Sequence, residues 1–121
     1  MNRVLDANAI LRYLLDDIPE QADIAAQAIE DGASTIPEVM AEVVYVLFGV
    51  YNIDRLSIAS TLKDLLEEIA ISDKPVVKSA FDLYAKSKLD YVDCILIARA
   101  RLLGEDILSF DKKLNNALLE E

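Results

Sequence analysis

The sequence predicts one α/β domain over residues 1–121, with a central parallel sheet of about four strands and helices on both faces. Three observations predict it. Short apolar runs at 2–5, 33–36, 69–72 and 107–110 alternate with longer segments of helical periodicity, the pattern of strand–helix units rather than of hairpins. The first and last runs end in carboxylates, Asp6 and Asp111, where open α/β sheets bind ligands beyond the carboxyl ends of their strands. A chain of 121 residues, 54% hydrophobic and with only three glycines and three prolines, suits one compact domain with short loops.

In chain order, residues 2–5 form the first strand, and 9–15 carry helical apolar spacing that Asp16-Asp17-Ile18-Pro19 interrupts. Pro19 suits the first turn of a second helix, which carries Ile24, Ala25, Ala28 and Ile29 on one face and stops near Gly32. After a strand at 33–36, Pro37 opens a third helix to about Val50. Asp54 caps a fourth, with Ile58, Leu62, Leu65, Leu66 and Ile69 along one side. A third strand at 69–72 leads to a fifth helix opened by Pro75, with Val76, Val77, Ala80, Leu83 and Tyr84 inward. A sixth helix runs from Asp90 to Leu103 and ends at Gly104; the fourth strand, 107–110, then delivers the chain to Asp111, the cap of a last short helix.

No apolar run approaches membrane-spanning length and no basic-then-apolar leader opens the chain, so the cytoplasm is the expected location. The single cysteine, Cys94, cannot form an internal disulfide. With no histidine, any metal site must be built from oxygen ligands, which favours Mg²⁺ or Mn²⁺ over zinc.

A net charge of −10 argues at first against a nucleic-acid partner. The charge is uneven, however: residues 1–73 hold 14 acids and 4 bases, whereas 74–121 hold 8 of each. Arg99, Arg101, Lys112 and Lys113 follow Asp93 closely, either as ordinary charge pairs or as a substrate-binding patch.

Four carboxylates stand out. Glu42 lies within 39–48, a helix apolar nearly all round, where burial of a lone carboxylate needs a cation, and no Lys or Arg occurs between Arg12 and Arg55. A tertiary salt bridge or a metal would serve. Asp93 stands one turn into another apolar helix; with Asp90 as N-cap it occupies the N3 position, where folding back in a capping box is the structural alternative. Asp6 and Asp111 follow apolar strands and could equally cap the helices after them. Two strand-end acids and two helix acids are expected to converge on one crevice.

The set Val4-Leu5-Asp6-Ala7-Asn8, Ile36-Pro37 with Ala41-Glu42-Val43-Val44, the 93–100 run from Asp93 to Ala100, and Leu108-Ser109-Phe110-Asp111 resembles the PIN-domain family, in particular its VapC-like ribonuclease toxins. The resemblance covers nearly the whole chain in order. It implies that Asp6, Glu42, Asp93 and Asp111 hold Mg²⁺ or Mn²⁺, that Asn8 and Ser109 support them by hydrogen bonding, and that the reaction is endonucleolytic hydrolysis of RNA. It also implies a homodimer and a possible antitoxin partner. The family usually adds a fifth edge strand, and the sequence after Asp111 leaves its presence open.

Two rival readings remain at this point. A phosphoacceptor receiver domain has this size and architecture, with Asp73 as the acceptor, but it calls for two adjacent acids after the first strand, and Asp6 is followed by Ala7. A catalytically silent PIN-like binding module would use its apolar helices for a partner and leave the acids idle.

Overall fold

The computed structural model describes residues 2–120. Helix α1 (Ala7–Leu15) and α2 (Pro19–Glu30) precede strand β1 (Ser34–Thr35); α3 (Pro37–Gly49) and α4 (Arg55–Leu65) precede β2 (Ala70–Ile71); α5 (Lys74–Lys86), α6 (Tyr91–Leu103) and α7 (Lys112–Leu118) complete the chain. Local chemistry sets the boundaries. Asp6 and Asp54 accept bonds from the backbone N–H of Ala9 (2.8 Å) and Ser57 (3.1 Å) at the starts of α1 and α4. Pro19 and Pro37 open α2 and α3. Asp16 (φ 50°) and Gly104 (φ 68°) end α1 and α6 in the left-handed region, which Asp tolerates better than most side chains and Gly enters freely.

The sheet is small. The 3–5 segment lies parallel to β1 through a bridge between Val4 and Ser34, with Leu5 N–H donating to Ser34 O and Ser34 N–H to Arg3 O, both at 2.8 Å. Strand β1 lies parallel to β2, with Ser34 opposite Ala70 and Thr35 opposite Ile71. Helices α1 and α2 make one crossover, α3 and α4 the other.

The fourth strand expected at 107–110 does not form among the described residues. Its apolar alternation finds no cover: Leu108 is 84% and Phe110 95% exposed. Local side chains take its backbone groups instead, since Asn115 Nδ2 donates to Ser109 O at 2.8 Å and Ser109 Oγ accepts from Asp111 N–H at 3.0 Å. The observed architecture is therefore helix-rich around a small parallel sheet.

Buried residues from all seven described helices join one core, which includes Ile10, Ile29, Val43, Leu62, Phe81, Ile97 and Leu114. Phe81 stacks on Tyr91 with ring centroids 5.2 Å apart. Helix α3 packs on α1, α4 and α6 and buries Met40, Val43, Val44 and Leu47. Glu42, Tyr45 and Phe48, at helical spacing, form its exposed side. The expectation that Glu42 is buried is thus corrected: a helix apolar by composition still turns one stripe outward, and Glu42 lies on it. Among the described residues, no helix is long and apolar enough to cross a membrane.

Candidate functional site

Asp6 is placed by the sheet. The buried hydroxyl of Thr35 donates to the Leu5 carbonyl at 2.9 Å, fixing the chain immediately before Asp6. Asp6 then turns into α1, its Oδ1 accepting the Ala9 N–H. Asn8, in the first turn of α1, is exposed. A cavity of about 300 Å³ between α1 and α2 reaches Asp6 and Asn8, with Leu5, Ala9, Ala25 and Ala28 along its apolar wall and Arg3 and Arg12 beside it.

Asp90, Asp93, Asp111 and Lys113 share a second neighbourhood. Asp90 occupies the N-cap position of α6 but makes no side-chain cap bond. Its Oδ2 accepts the Tyr45 hydroxyl of α3 at 3.1 Å instead, tying α3 to the start of α6. Asp93 is half-buried in the first turn of α6. Desolvation pushes its carboxyl pKa up, the negative charges of Asp90 and Asp111 push it further, and the Lys113 ammonium partly offsets them. Asp111 caps α7, its Oδ1 accepting from the N–H groups of Lys113 (2.9 Å) and Leu114 (3.1 Å).

The capping roles of Asp6 and Asp111 therefore exist, and both are made through Oδ1 alone among the described residues. Capping leaves the other oxygen of each carboxylate outside those bonds. Glu42 lies three residues before Tyr45 on the exposed side of α3, and α3 packs on both α1 and α6. Among the described residues, no three carboxylates stand close enough in these side-chain positions to share one cation. The donor chemistry nonetheless suits a hard divalent ion, being all carboxylate oxygen.

Three contributors escape a reading of the sequence because their partners are remote in the chain. Thr35 is 30 residues from Leu5 and Tyr45 is 45 from Asp90. Arg55 donates from Nε to Tyr84 O at 2.9 Å and from its guanidinium to Leu89 O, with its charge 3.7 Å over the Tyr84 ring. It thereby fixes the turn that delivers Asp90. A hydroxyl in the strand before Pro37 was the one available signal for Thr35.

The basic residues near Asp93 divide. Arg99 forms ordinary charge pairs, with Glu105 (2.5 and 3.0 Å) and Asp73 (3.6 Å), and Arg101 donates to Glu120 O at 3.2 Å. Lys113 instead donates to a neutral group, Lys88 O, at 3.1 Å.

A family model described as PIN domain matches residues 3–117. The chain is also similar to a VapC ribonuclease of Aquifex aeolicus (strain VF5), 25% identical over 120 residues, covering 92% of this chain and 88% of that protein. No solved structure gives a significant match.

Proposed function

Because the chain belongs to the PIN-domain family, we propose that it is a metal-dependent endoribonuclease that hydrolyses RNA phosphodiester bonds as the toxin of a toxin–antitoxin pair. The observation that carries this reading is the match of the PIN-domain family model to residues 3–117, which takes in Asp6, Glu42, Asp93 and Asp111. Similarity to a VapC ribonuclease supplies the substrate class.

In this reading Asp6, Glu42, Asp93 and Asp111 would hold the Mg²⁺ or Mn²⁺, which calls for their side chains to draw closer than the positions they take in the structure. The bound ion would make water more acidic and neutralise phosphate charge. The protein's part is orientation. Backbone N–H bonds to Oδ1 fix the carboxylates of Asp6 and Asp111, and Thr35 and Arg55 fix the backbone leading to Asp6 and Asp90. Asn8 and Ser109 lie beside Asp6 and Asp111 in sequence as supporting hydrogen-bonders. An antitoxin would present a basic side chain to these acids and apolar groups to neighbouring helices. A homodimer would cover part of the exposed apolar surface, which includes Phe48, Val50, Leu102 and Leu103.

Incubation of RNA with the purified protein, with and without EDTA, tests the reading. Cleavage in Mg²⁺ or Mn²⁺ that EDTA abolishes is expected. Binding of RNA without cleavage in any divalent ion would favour the silent binding module, which gains from the open spacing of the acids. The receiver-domain alternative has no remaining support, since the family match is to a PIN domain and the Asp73 carboxylate faces Arg99.

A further inference from the structure

We propose that the recess between the 87–89 turn and α7, with Lys88 and Lys113 on its walls, receives an RNA phosphate adjoining the one cleaved at the acids; this rests on the ribonuclease reading. The recess has a volume of about 250 Å³ and is bounded by Ser87, Lys88 and Leu89 on one side and by Lys113, Asn116 and Glu120 on the other. That is below the roughly 300–1,000 Å³ of pockets for whole drug-sized ligands, so it suits one group of a longer ligand.

Two lysines from distant parts of the chain line the recess. Lys113 Nζ donates to the Lys88 carbonyl at 3.1 Å, a contact spanning 25 residues. Neither lysine enters an ion pair among the described residues. Glu120 lines the recess as well but pairs with neither lysine. Both lysines line one recess beside the acids, where their cations can offset the repulsion that a protein of net charge −10 exerts on a phosphate.

Their position joins them to the acids. Lys88 precedes Asp90 by two residues, and Lys113 follows Asp111 by two. Carboxylates alone repel a phosphodiester, so a strand crossing them needs cations nearby. Lysine supplies these as point charges to phosphate oxygens. RNA presents a phosphate at every nucleotide, so a strand held at the acids brings its next phosphate to a cationic recess beside them.

The test is fluorescence anisotropy of a short, labelled, single-stranded oligoribonucleotide of mixed sequence, titrated in EDTA over a range of salt. Wild type is compared with Lys88→Gln, Lys113→Gln, the double variant, Lys113→Arg, Glu120→Gln and Lys78→Gln. Lys78→Gln is the charge-matched control, at an exposed position of α5. Each recess Gln variant should bind several-fold more weakly. The double variant should flatten the slope of log affinity against log salt by about 0.7, the value for one lost phosphate contact on a single strand. Lys113→Arg should retain binding, Glu120→Gln should tighten it, and Lys78→Gln should leave the slope unchanged.

With Mn²⁺ present, the recess variants should raise KM for RNA while kcat holds. A purely structural role of the Lys113–Lys88 contact predicts instead a lowered melting temperature with an unchanged salt slope, and would overturn the proposal. Cleavage by wild type together with lysine-independent RNA binding would overturn the recess alone. Lysine-dependent binding without cleavage in any divalent ion would overturn the ribonuclease reading and leave the recess as an RNA contact.

Discussion

The hydroxyl of Tyr45 on α3 donates to Asp90 Oδ2 at 3.1 Å, joining the helix that carries Glu42 to the residue that begins α6 and its Asp93. Desolvation first, and then the Asp90 charge and this bond, hold the phenol above its ordinary pKa, so it remains a donor at neutral pH. Tyr45→Phe removes the bond and little else. Because Tyr45 is exposed, the loss to stability should be under about 1 kcal/mol. RNA cleavage should nevertheless fall several-fold, since Asp90 and α6 lose their tie to α3. Cleavage kinetics and a thermal melt check both, and a wild-type rate would dissociate this contact from the site.

The caps allow charge to be separated from structure. Asp6→Asn keeps a competent N-cap and removes the charge, so it should abolish cleavage with little loss of melting temperature. Asp6→Ala removes both, and loss of the cap should cost about 1 kcal/mol, a drop of a few degrees in Tm. The same pair at Asp111 should behave alike, because Asp111 Oδ1 caps α7 through two N–H groups. Substantial cleavage by Asp6→Asn would reduce that residue to a cap.

Most element boundaries were legible because their determinants are local. Asp6, Asp54, Asp111, Pro19, Pro37 and Gly104 act within a few residues of themselves, and the helices start or stop beside them. The 107–110 run reads as a strand because its composition is apolar, yet a strand needs a neighbour, and its backbone is taken by Asn115 and Ser109. Glu42 was misread for a related reason: composition shows that α3 is apolar but not which stripe its neighbours leave uncovered. Asp90 holds its expected cap position, but with a side-chain partner 45 residues away that periodicity cannot reveal.

The pH dependence follows from Asp93. Burial, followed by Asp90 and Asp111, places its folded pKa above the ordinary aspartate range. The native state therefore holds the proton more tightly than the unfolded chain does. This contribution to stability is complete below the ordinary aspartate pKa and is lost as pH rises through the raised value. Asp93→Asn should melt above wild type in EDTA at neutral pH, and the advantage should shrink as pH falls through that window. Mn²⁺ should raise the Tm of wild type by mass action and that of the variant much less. A lower neutral-pH Tm for Asp93→Asn, with equal Mn²⁺ shifts for both proteins, would instead mark Asp93 as a structural partner.

Exposed apolar side chains at the end of α3 and beyond it, Phe48, Val50 and Tyr51, together with Leu102 and Leu103 at the end of α6, underlie the expected homodimer. A specific interface requires about 1,000 Å² or more of buried surface with good complementarity. Light scattering at tens of micromolar should therefore return twice the 13.4 kDa chain mass. A monomer mass under those conditions would leave these side chains for another partner.

The central claim is that the acids perform metal-dependent cleavage of RNA, and the rate of cleavage of a labelled RNA as a function of Mn²⁺ tests it most directly. Wild type should show no cleavage in EDTA and a saturable rise with Mn²⁺, while Asp93→Asn, folded as judged by its melt, should stay near background throughout. Cleavage by wild type that persists in EDTA, or a folded Asp93→Asn that follows the wild-type curve, would contradict it.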